Sequence, residues 1–412
     1  MVLPKKWLLC IVLFLATTLN YLDRQTMSIL APVLQKQLHL DNAALGWLFA
    51  IFYYAYTFAQ MAGGPILDRS NLRWAFTWAI LLWSAVSALT GLANGFIALL
   101  VFRLLLGVVE SVNWPAGMRV IAYLMEPRER SLANGIFTSG TSVGALIAPG
   151  LILGISGTLG WRWAFVLIGS LGAFWIGAWL AITRGSDLAP VWLGAATKPA
   201  AAPRAQWQVF ARIARAPRFV PVLVVAVLVN PCLYFSVNWL PTYFAQQRGL
   251  APGRQMGWIL TAIYLGLDIG NIACGGTILA LTHRGIGLER AHRIVFTLAT
   301  AAVVCCAAVP ILPMAGAVAA LVVVNLGLGV WVSVYLTMAQ AVSSTHVSTA
   351  MGMLSGSGSL AGALSMWAVG RVTQQTGSFL IPMSAVAVAA AVAAAAAWVA
   401  SREEKSVQEM PA

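Results

Sequence analysis

Apolar runs of about 20 residues follow one another along almost the whole chain, and a run of this length crosses a bilayer as a helix. Of the 412 residues, 60% are hydrophobic and 9% are charged. Hydrocarbon offers no partner to backbone polar groups, and the runs are too long and too uniformly apolar for barrel strands. They predict an all-α integral membrane protein. Its twelve transmembrane helices begin near residues 7, 44, 74, 96, 132, 161, 219, 256, 291, 314, 348 and 378.

The longest polar interruption, residues 184–218, divides the predicted helices into six and six. We therefore expect an N-terminal six-helix bundle at 1–183, a cytoplasmic linker at 184–218, and a C-terminal six-helix bundle with a short cytoplasmic tail at 219–412. Placing both termini and the linker in the cytoplasm assigns 18 of the 25 Lys and Arg residues to that side and five to the other. This asymmetry predicts a multi-pass protein of the cytoplasmic (inner) membrane with both termini inside.

The loops after the second predicted helix of each half resemble each other. Residues 63–69 read GGPILDR and residues 275–281 read GGTILAL. Two related six-helix repeats predict a pseudo-twofold arrangement of the bundles, which is common in transporters. The charged residues Asp68, Arg69 and Arg73 lie at a predicted cytoplasmic helix end, so we predict that they form a gate. The alternative is that they only orient the chain in the membrane.

Signatures of several enzyme classes are missing from the sequence. It has four His residues, no H-E-x-x-H motif of zinc hydrolases and no G-x-x-x-x-G-K-[ST] motif of nucleotide hydrolases. Its five Cys residues lie in apolar stretches and form no C-x-x-C pair. We predict no enzyme activity, no catalytic residue, no metal and no cofactor. Because membrane topology explains the net charge of +13, no nucleic-acid partner is expected.

Charged residues inside the predicted helices are the sharpest functional signal, since each is costly in a membrane unless it is paired or hydrated. Asp23 and Arg24 lie in the first helix, Arg103 and Glu110 in the fourth, and Asp268 in the eighth. We predict that Asp23 and Glu110 bind protons and that Arg24 and Arg103 bind an anion. Protonating either acid would free an Arg for a substrate carboxylate. The alternative is a set of static ion pairs that join the two helices.

Aromatic and polar side chains at helical spacing extend this candidate site. Tyr53 and Tyr56 are three residues apart in the second helix, and Tyr21 lies three residues before Arg24. For each Tyr, the alternative is a role in helix packing or as an interface anchor. The predicted substrate-binding residues are Tyr21, Arg24, Tyr53, Tyr56, Arg103, Tyr234, Asn238, Ser355 and Ser359.

These residues resemble the major facilitator superfamily and, within it, the anion:cation symporter family, especially its hexuronate and galactonate transporters. The motifs that carry the resemblance are Asn20 to Gln25 (NYLDRQ), Arg103 through Glu110, Asn113 to Gly117 (NWPAG), Pro127 to Arg130 (PRER) and Trp239 to Tyr243 (WLPTY). The resemblance implies protonation at Asp23 and Glu110. It implies that Arg24, Arg103, Tyr21 and Tyr56 contact a sugar acid, and that Asp68 and Arg69 belong to a cytoplasmic gate.

Taken together, the sequence predicts a secondary transporter that imports a small organic anion, such as a hexuronate-like sugar acid, with protons by alternating access. We expect it to work as a monomer in the lipid bilayer. One alternative is a proton-coupled exporter of amphipathic organic compounds. Alternatives of another class are an integral membrane enzyme and a receptor that transports nothing.

Overall fold

The computed structural model describes residues 5–126, 129–184, 203–340, 342–343 and 347–408, and nearly all of them are helical. The side chains of 61–69 and a few other positions lie outside this description. The helices of the first half are α1 (Lys5–Leu38), α2 (Asn42–Arg69), α3 (Leu72–Thr90), α4 (Phe96–Glu110), α5 (Asn113–Leu124), α6 (Arg130–Leu159) and α7 (Trp161–Ile182). They are followed by α8 (Pro203–Ala214), α9 (Phe219–Gln247), α10 (Arg254–His283), α11 (Leu288–Val304), α12 (Met314–Gln340), α13 (Val347–Thr376) and α14 (Leu380–Gln408).

The predicted membrane helices match this architecture. Each of the twelve predicted starts lies within three residues of an observed helix start. Within the described residues, ten helical segments are long and apolar enough to cross a membrane. The two other helices that match a predicted span, α2 and α13, contain 28 and 30 residues. The prediction of an all-α integral membrane fold is therefore confirmed.

The predicted fourth span differs from the expectation in one respect, because its helix is interrupted directly after Glu110 and resumes as α5. Ser111 and Val112 keep helical dihedral angles at the interruption. Pro115 has no N–H to donate to the carbonyl of Ser111, which therefore lacks its helical partner. The Ser111 hydroxyl instead donates to the carbonyl of Val108 at 2.7 Å. Glu110 consequently occupies the last position of α4 within a continuous span.

The described chain divides into two compact units. The first comprises residues within Met1–Ala200 and Phe244–Thr261, and the second comprises residues within Ala201–Tyr243 and Ala262–Ala412. The expected cytoplasmic linker falls largely on residues 185–202, which lie outside the described residues. Its later part forms the helix α8, which the apolar pattern did not predict.

Glycines bring the helices of the first unit close together around the charged residues. A Cβ atom on Gly107 of α4 would collide with the backbone oxygen of Phe52 on α2. In the same way, Gly140 and Gly144 of α6 lie against the backbone of α1 at Phe14 and Thr18. Backbones that approach this closely need small residues at the contact. Gly107 lies one turn after Arg103 on α4, so this contact holds Arg103 next to α2, where it meets Phe52 and Leu48.

Candidate functional site

The first unit contains a buried ion pair between α1 and α4. The Nε atom of Arg24 donates a hydrogen bond to Oε2 of Glu110 at 2.7 Å. The Arg24 side chain is 16% exposed and the Glu110 side chain is fully buried. The structure thus brings together one predicted anion-binding residue and one predicted proton-binding residue.

The other two predicted charged residues have different neighbours. The carboxylate of Asp23, also buried, accepts a hydrogen bond from the hydroxyl of Ser87 on α3 at 2.6 Å. The Arg103 guanidinium lies over the ring of Phe52, with its Cζ atom 4.4 Å from the ring centroid, and its Nε atom faces the carbonyl of Leu48 at 3.5 Å. The ion pairs found among the described residues within 4.0 Å do not include Asp23 or Arg103. Asp23 and Arg103 are therefore held by a hydroxyl group and an aromatic ring.

Three aromatic rings surround the guanidinium group of Arg24. Its Cζ atom lies 4.3 Å from the ring centroid of Tyr56, 5.2 Å from that of Phe52 and 5.7 Å from that of Tyr21. Distances below about 6 Å are typical of cation–π contacts. Tyr53, the other predicted tyrosine of α2, packs edge-on against Phe52 at 5.2 Å. Sequence reasoning found the three tyrosines and missed Phe52, which contacts both arginines.

Several polar atoms next to the ion pair are buried and make no hydrogen bond of normal geometry within the described part of the chain, although Asn20 lies close enough to Glu110 to interact with its carboxyl group. They are Nη2 of Arg24, Oε1 of Glu110, and both Nδ2 and Oδ1 of Asn20. Asn20 lies one helical turn before Arg24 on α1. A buried polar atom without a partner costs about 1–3 kcal/mol. A ligand that carries a carboxylate and hydroxyl groups would satisfy such a mixed set of donors and acceptors.

The second unit has its own polar cluster, which contains all four residues predicted there. The hydroxyl of Tyr234 on α9 is hydrogen-bonded to the hydroxyl of Ser359 on α13 at 3.2 Å. The Asn238 amide donates to the carbonyl of Tyr234 at 2.8 Å. The hydroxyl of Ser355 is hydrogen-bonded to that of Tyr335 on α12 at 3.3 Å. Tyr335 was missed, although a tyrosine inside an apolar helix is a signal of the kind used for the others.

The predicted gate residues are described in part. The side chains of Asp68 and Arg69 lie outside the described residues. Arg73, which begins α3, donates from Nε to the hydroxyl of Thr183 at 3.0 Å. The indole of Trp179 donates in turn to the carbonyl of Arg73 at 3.3 Å. Arg73 therefore joins the start of α3 to the end of α7 within the first unit.

A second ion pair in the first unit lies outside the membrane-spanning core. Lys6 at the start of α1 donates from Nζ to Oε1 of Glu129 at 2.6 Å, and these side chains are 30% and 25% exposed. The hydrogen bond from Lys6 lowers the pKa of the Glu129 carboxyl. This pair has almost the same length as the pair between Arg24 and Glu110, but it is open to solvent.

Potential metal ligands do not cluster in the part of the chain that the structure describes, and its cysteines form no disulfide bond. It contains no group of three or more His, Cys, Asp or Glu residues arranged to hold a metal ion. The five Cys residues are free thiols, and four of them are buried.

Comparison with known proteins identifies the family. The model of the Major Facilitator Superfamily matches residues 13–366. The D-galactonate transporter of Escherichia coli O6:H1 is 26% identical over 70% of each chain. The hexuronate transporter of Bacillus subtilis is 27% identical over 89% of this chain and 88% of its own. A crystal structure of a bacterial homologue of the human lysosomal transporter Spinster shares the fold, with a TM-score of 0.76, 19% identity and full coverage of both chains.

The relatives with similar sequences are named transporters, which confirms the resemblance drawn from the motifs and excludes the enzyme alternative. This chain is therefore a multi-pass membrane transporter that belongs to the Major Facilitator Superfamily.

Proposed function

We propose that the protein imports a small organic anion of the sugar-acid class, such as a hexuronate or an aldonate, together with protons. The observation that carries this proposal is the buried pair of Arg24 and Glu110, in which one polar atom of each side chain has no hydrogen-bond partner among the described residues. The related galactonate and hexuronate transporters support the substrate class, because both of these substrates combine a carboxylate with several hydroxyl groups.

In the proposed mechanism, the substrate carboxylate binds the end of the Arg24 guanidinium that Glu110 leaves open. A planar guanidinium can bind a carboxylate through two hydrogen bonds. A proton on Glu110 removes the charge that competes for Arg24, so proton and anion bind cooperatively. By linkage, each ligand raises the affinity for the other by the same factor. Asp23, held by Ser87, is the second proposed proton site.

We further propose that the second cluster binds substrate hydroxyl groups, since hydroxyl and amide side chains can both donate and accept hydrogen bonds. The residues concerned are Tyr234, Asn238, Ser355 and Ser359. Substituting Ser359 with Ala would remove one of these groups with little change in size. The expected result is weaker binding of a polyhydroxylated acid and unchanged binding of a simple carboxylate.

Alternating access, the gate and the orientation in the membrane belong to the same proposal. We place both termini at the cytoplasmic face of the inner membrane, and the gate of Asp68, Arg69 and Arg73 at that face. The asymmetry of the basic residues supports this orientation, because it assigns 18 of the 25 Lys and Arg residues to the cytoplasmic side and five to the other. We also propose that the monomer is the working unit.

Uptake into proteoliposomes under an imposed pH gradient tests the coupling. The variants Glu110→Gln and Asp23→Asn should lose gradient-driven accumulation, because neither amide can carry the proton. Glu129→Gln is the matched control, since its carboxylate also pairs with a cation but lies outside the membrane core, and it should transport normally. Full accumulation by both Glu110→Gln and Asp23→Asn would refute proton coupling at these residues.

Binding to purified protein tests the anion site separately. A ligand that binds the folded state raises its melting temperature. Sugar acids and aldonates should stabilise the wild type and fail to stabilise Arg24→Ala. Arg162→Ala is the control, because Arg162 also lies 4.4 Å from an aromatic ring but at the start of α7. Stabilisation by amphipathic cations that lack a carboxylate would instead favour the exporter alternative.

A further inference from the structure

Phe52 of α2 lies in contact with both arginines of the site, the buried Arg103 and the partly exposed Arg24. Its ring centroid is 5.2 Å from Cζ of Arg24 and 4.4 Å from Cζ of Arg103. The Phe52 side chain is fully buried. An aromatic ring attracts cations through the negative potential of its face, and this attraction is strongest where water is excluded. One ring therefore stabilises two positive charges in the same buried region.

The two arginines depend on this ring to different degrees. Arg24 also has Glu110 as an ion-pair partner and the ring of Tyr56 at 4.3 Å. Arg103 is 2% exposed and makes no ion pair within 4.0 Å among the described residues; its Nε atom donates to the carbonyl of Leu48 at 3.5 Å, and the carboxylates of Glu110 and Asp23 attract it from farther away. For Arg103, which lacks a direct ion-pair partner, the face of Phe52 at 4.4 Å is a close source of the electrostatic compensation that a buried charge requires.

The backbone holds Phe52 in place. Gly107 of α4 lies against the carbonyl oxygen of Phe52 so closely that a Cβ atom would collide with it. The ring also stacks on Tyr56 with a centroid distance of 6.0 Å and packs edge-on against Tyr53 at 5.2 Å. Because both its backbone and its ring are fixed, Phe52 can hold the arginines at defined positions.

We propose that Phe52 is a positioning residue of the anion site: its ring fixes Arg24 and Arg103 by cation–π contacts and thereby sets the affinity for the substrate carboxylate. This inference rests on the proposed function, in which Arg24 binds the anion. The competing explanation is that Phe52 only fills space between α1, α2 and α4. The two explanations differ in whether the electron density of the ring matters.

A series of fluorinated phenylalanines at position 52 separates them. Each added fluorine weakens the negative potential of the ring face and changes the volume little. With 4-fluoro-, 3,5-difluoro- and 3,4,5-trifluorophenylalanine, Kd for a sugar acid should rise step by step to about tenfold, which corresponds to about 1.4 kcal/mol. The maximal transport rate with saturating substrate should change less than KM. A ring that only fills space would leave Kd constant across the series.

The same series at Phe76 is the control. Phe76 is fully buried in α3 and packs against the rings of Trp175 and Trp179 at 5.4 and 5.5 Å. Fluorination there should leave Kd for the sugar acid unchanged. Phe52→Leu, which removes the ring, should raise Kd by at least tenfold.

The outcomes distinguish the inference from the function on which it rests. A flat response to fluorination at position 52, together with loss of binding in Arg24→Ala, overturns the role of Phe52 and leaves the anion site intact. Unchanged binding in Arg24→Ala overturns the anion site itself. An equal response to fluorination at positions 52 and 76 would show a general effect on stability and would also overturn the inference.

Discussion

The strength of the pair between Arg24 and Glu110 can be compared with that of the more exposed pair between Lys6 and Glu129 in the same unit. Its atoms are 2.7 Å apart, and those of Lys6 and Glu129 are 2.6 Å apart. At an effective dielectric constant of about 20, charges at 2.7 Å attract each other by about 6 kcal/mol. Desolvation offsets part of this attraction, and breaking a buried pair costs about 3–5 kcal/mol. We expect a coupling free energy of about 3 kcal/mol for the buried pair.

A double-mutant cycle gives this coupling directly. The unfolding free energy is measured in detergent for the wild type, Arg24→Ala, Glu110→Ala and the double variant. Each single variant leaves a charge without its partner. The loss of unfolding free energy in the double variant should therefore be smaller than the sum of the losses in the two single variants. The cycle at Lys6 and Glu129 should give a much smaller coupling, because solvent screens that pair. Additive effects at Arg24 and Glu110, or equal couplings in the two cycles, would refute the reasoning.

Three further results are expected. Gly107→Ala should destabilise the protein and weaken anion binding because its Cβ collides with the backbone of α2, whereas Gly150→Ala, with open space around its Cβ, should melt at or above the wild-type temperature. Ser87→Ala should lower the unfolding free energy by about 1–3 kcal/mol, measured by denaturation, because Asp23 loses a buried hydrogen bond. At neutral pH the wild type should melt at a slightly higher temperature than Glu129→Gln, because the ionised Glu129 pairs with Lys6. This difference in melting temperature should vanish as the pH falls through the lowered pKa of Glu129, where the carboxylate becomes protonated.

The helices were predictable because the membrane imposes a simple rule on the sequence. A span must be apolar over about 20 residues, and most charged residues collect between the spans. The interruption after Glu110 was harder to predict, because it depends on one missing hydrogen bond at Pro115 inside an otherwise apolar run. The short helix α8 was missed for the opposite reason, since it lies in a polar segment and its start is not marked by hydropathy.

The charged residues of the candidate site could be selected from the sequence, but the side chains that they contact could not. Asp23 and Arg24 are adjacent in the sequence, but successive residues on a helix point about 100° apart. They therefore face different helices, and Asp23 meets Ser87 whereas Arg24 meets Glu110. Hydropathy alone does not tell which helix lies on each side. Phe52 could not be identified from the sequence for a related reason. It is one of several aromatic residues in an apolar run, and its role is apparent only when the arginines beside it are known.

The geometry of Arg24 also explains why an anion would need a proton to bind in the proposed mechanism. If the substrate carboxylate took Arg24 from an ionised Glu110, that fully buried carboxylate would lose its partner, at a cost of about 3–5 kcal/mol. A proton on Glu110 removes this cost, since the neutral acid needs only a hydrogen-bond partner. The difference corresponds to a factor of about 10² to 4 × 10³ in anion affinity. In the proposed mechanism, one guanidinium shared between two carboxylates therefore couples the anion to the proton without a conformational signal between separate sites.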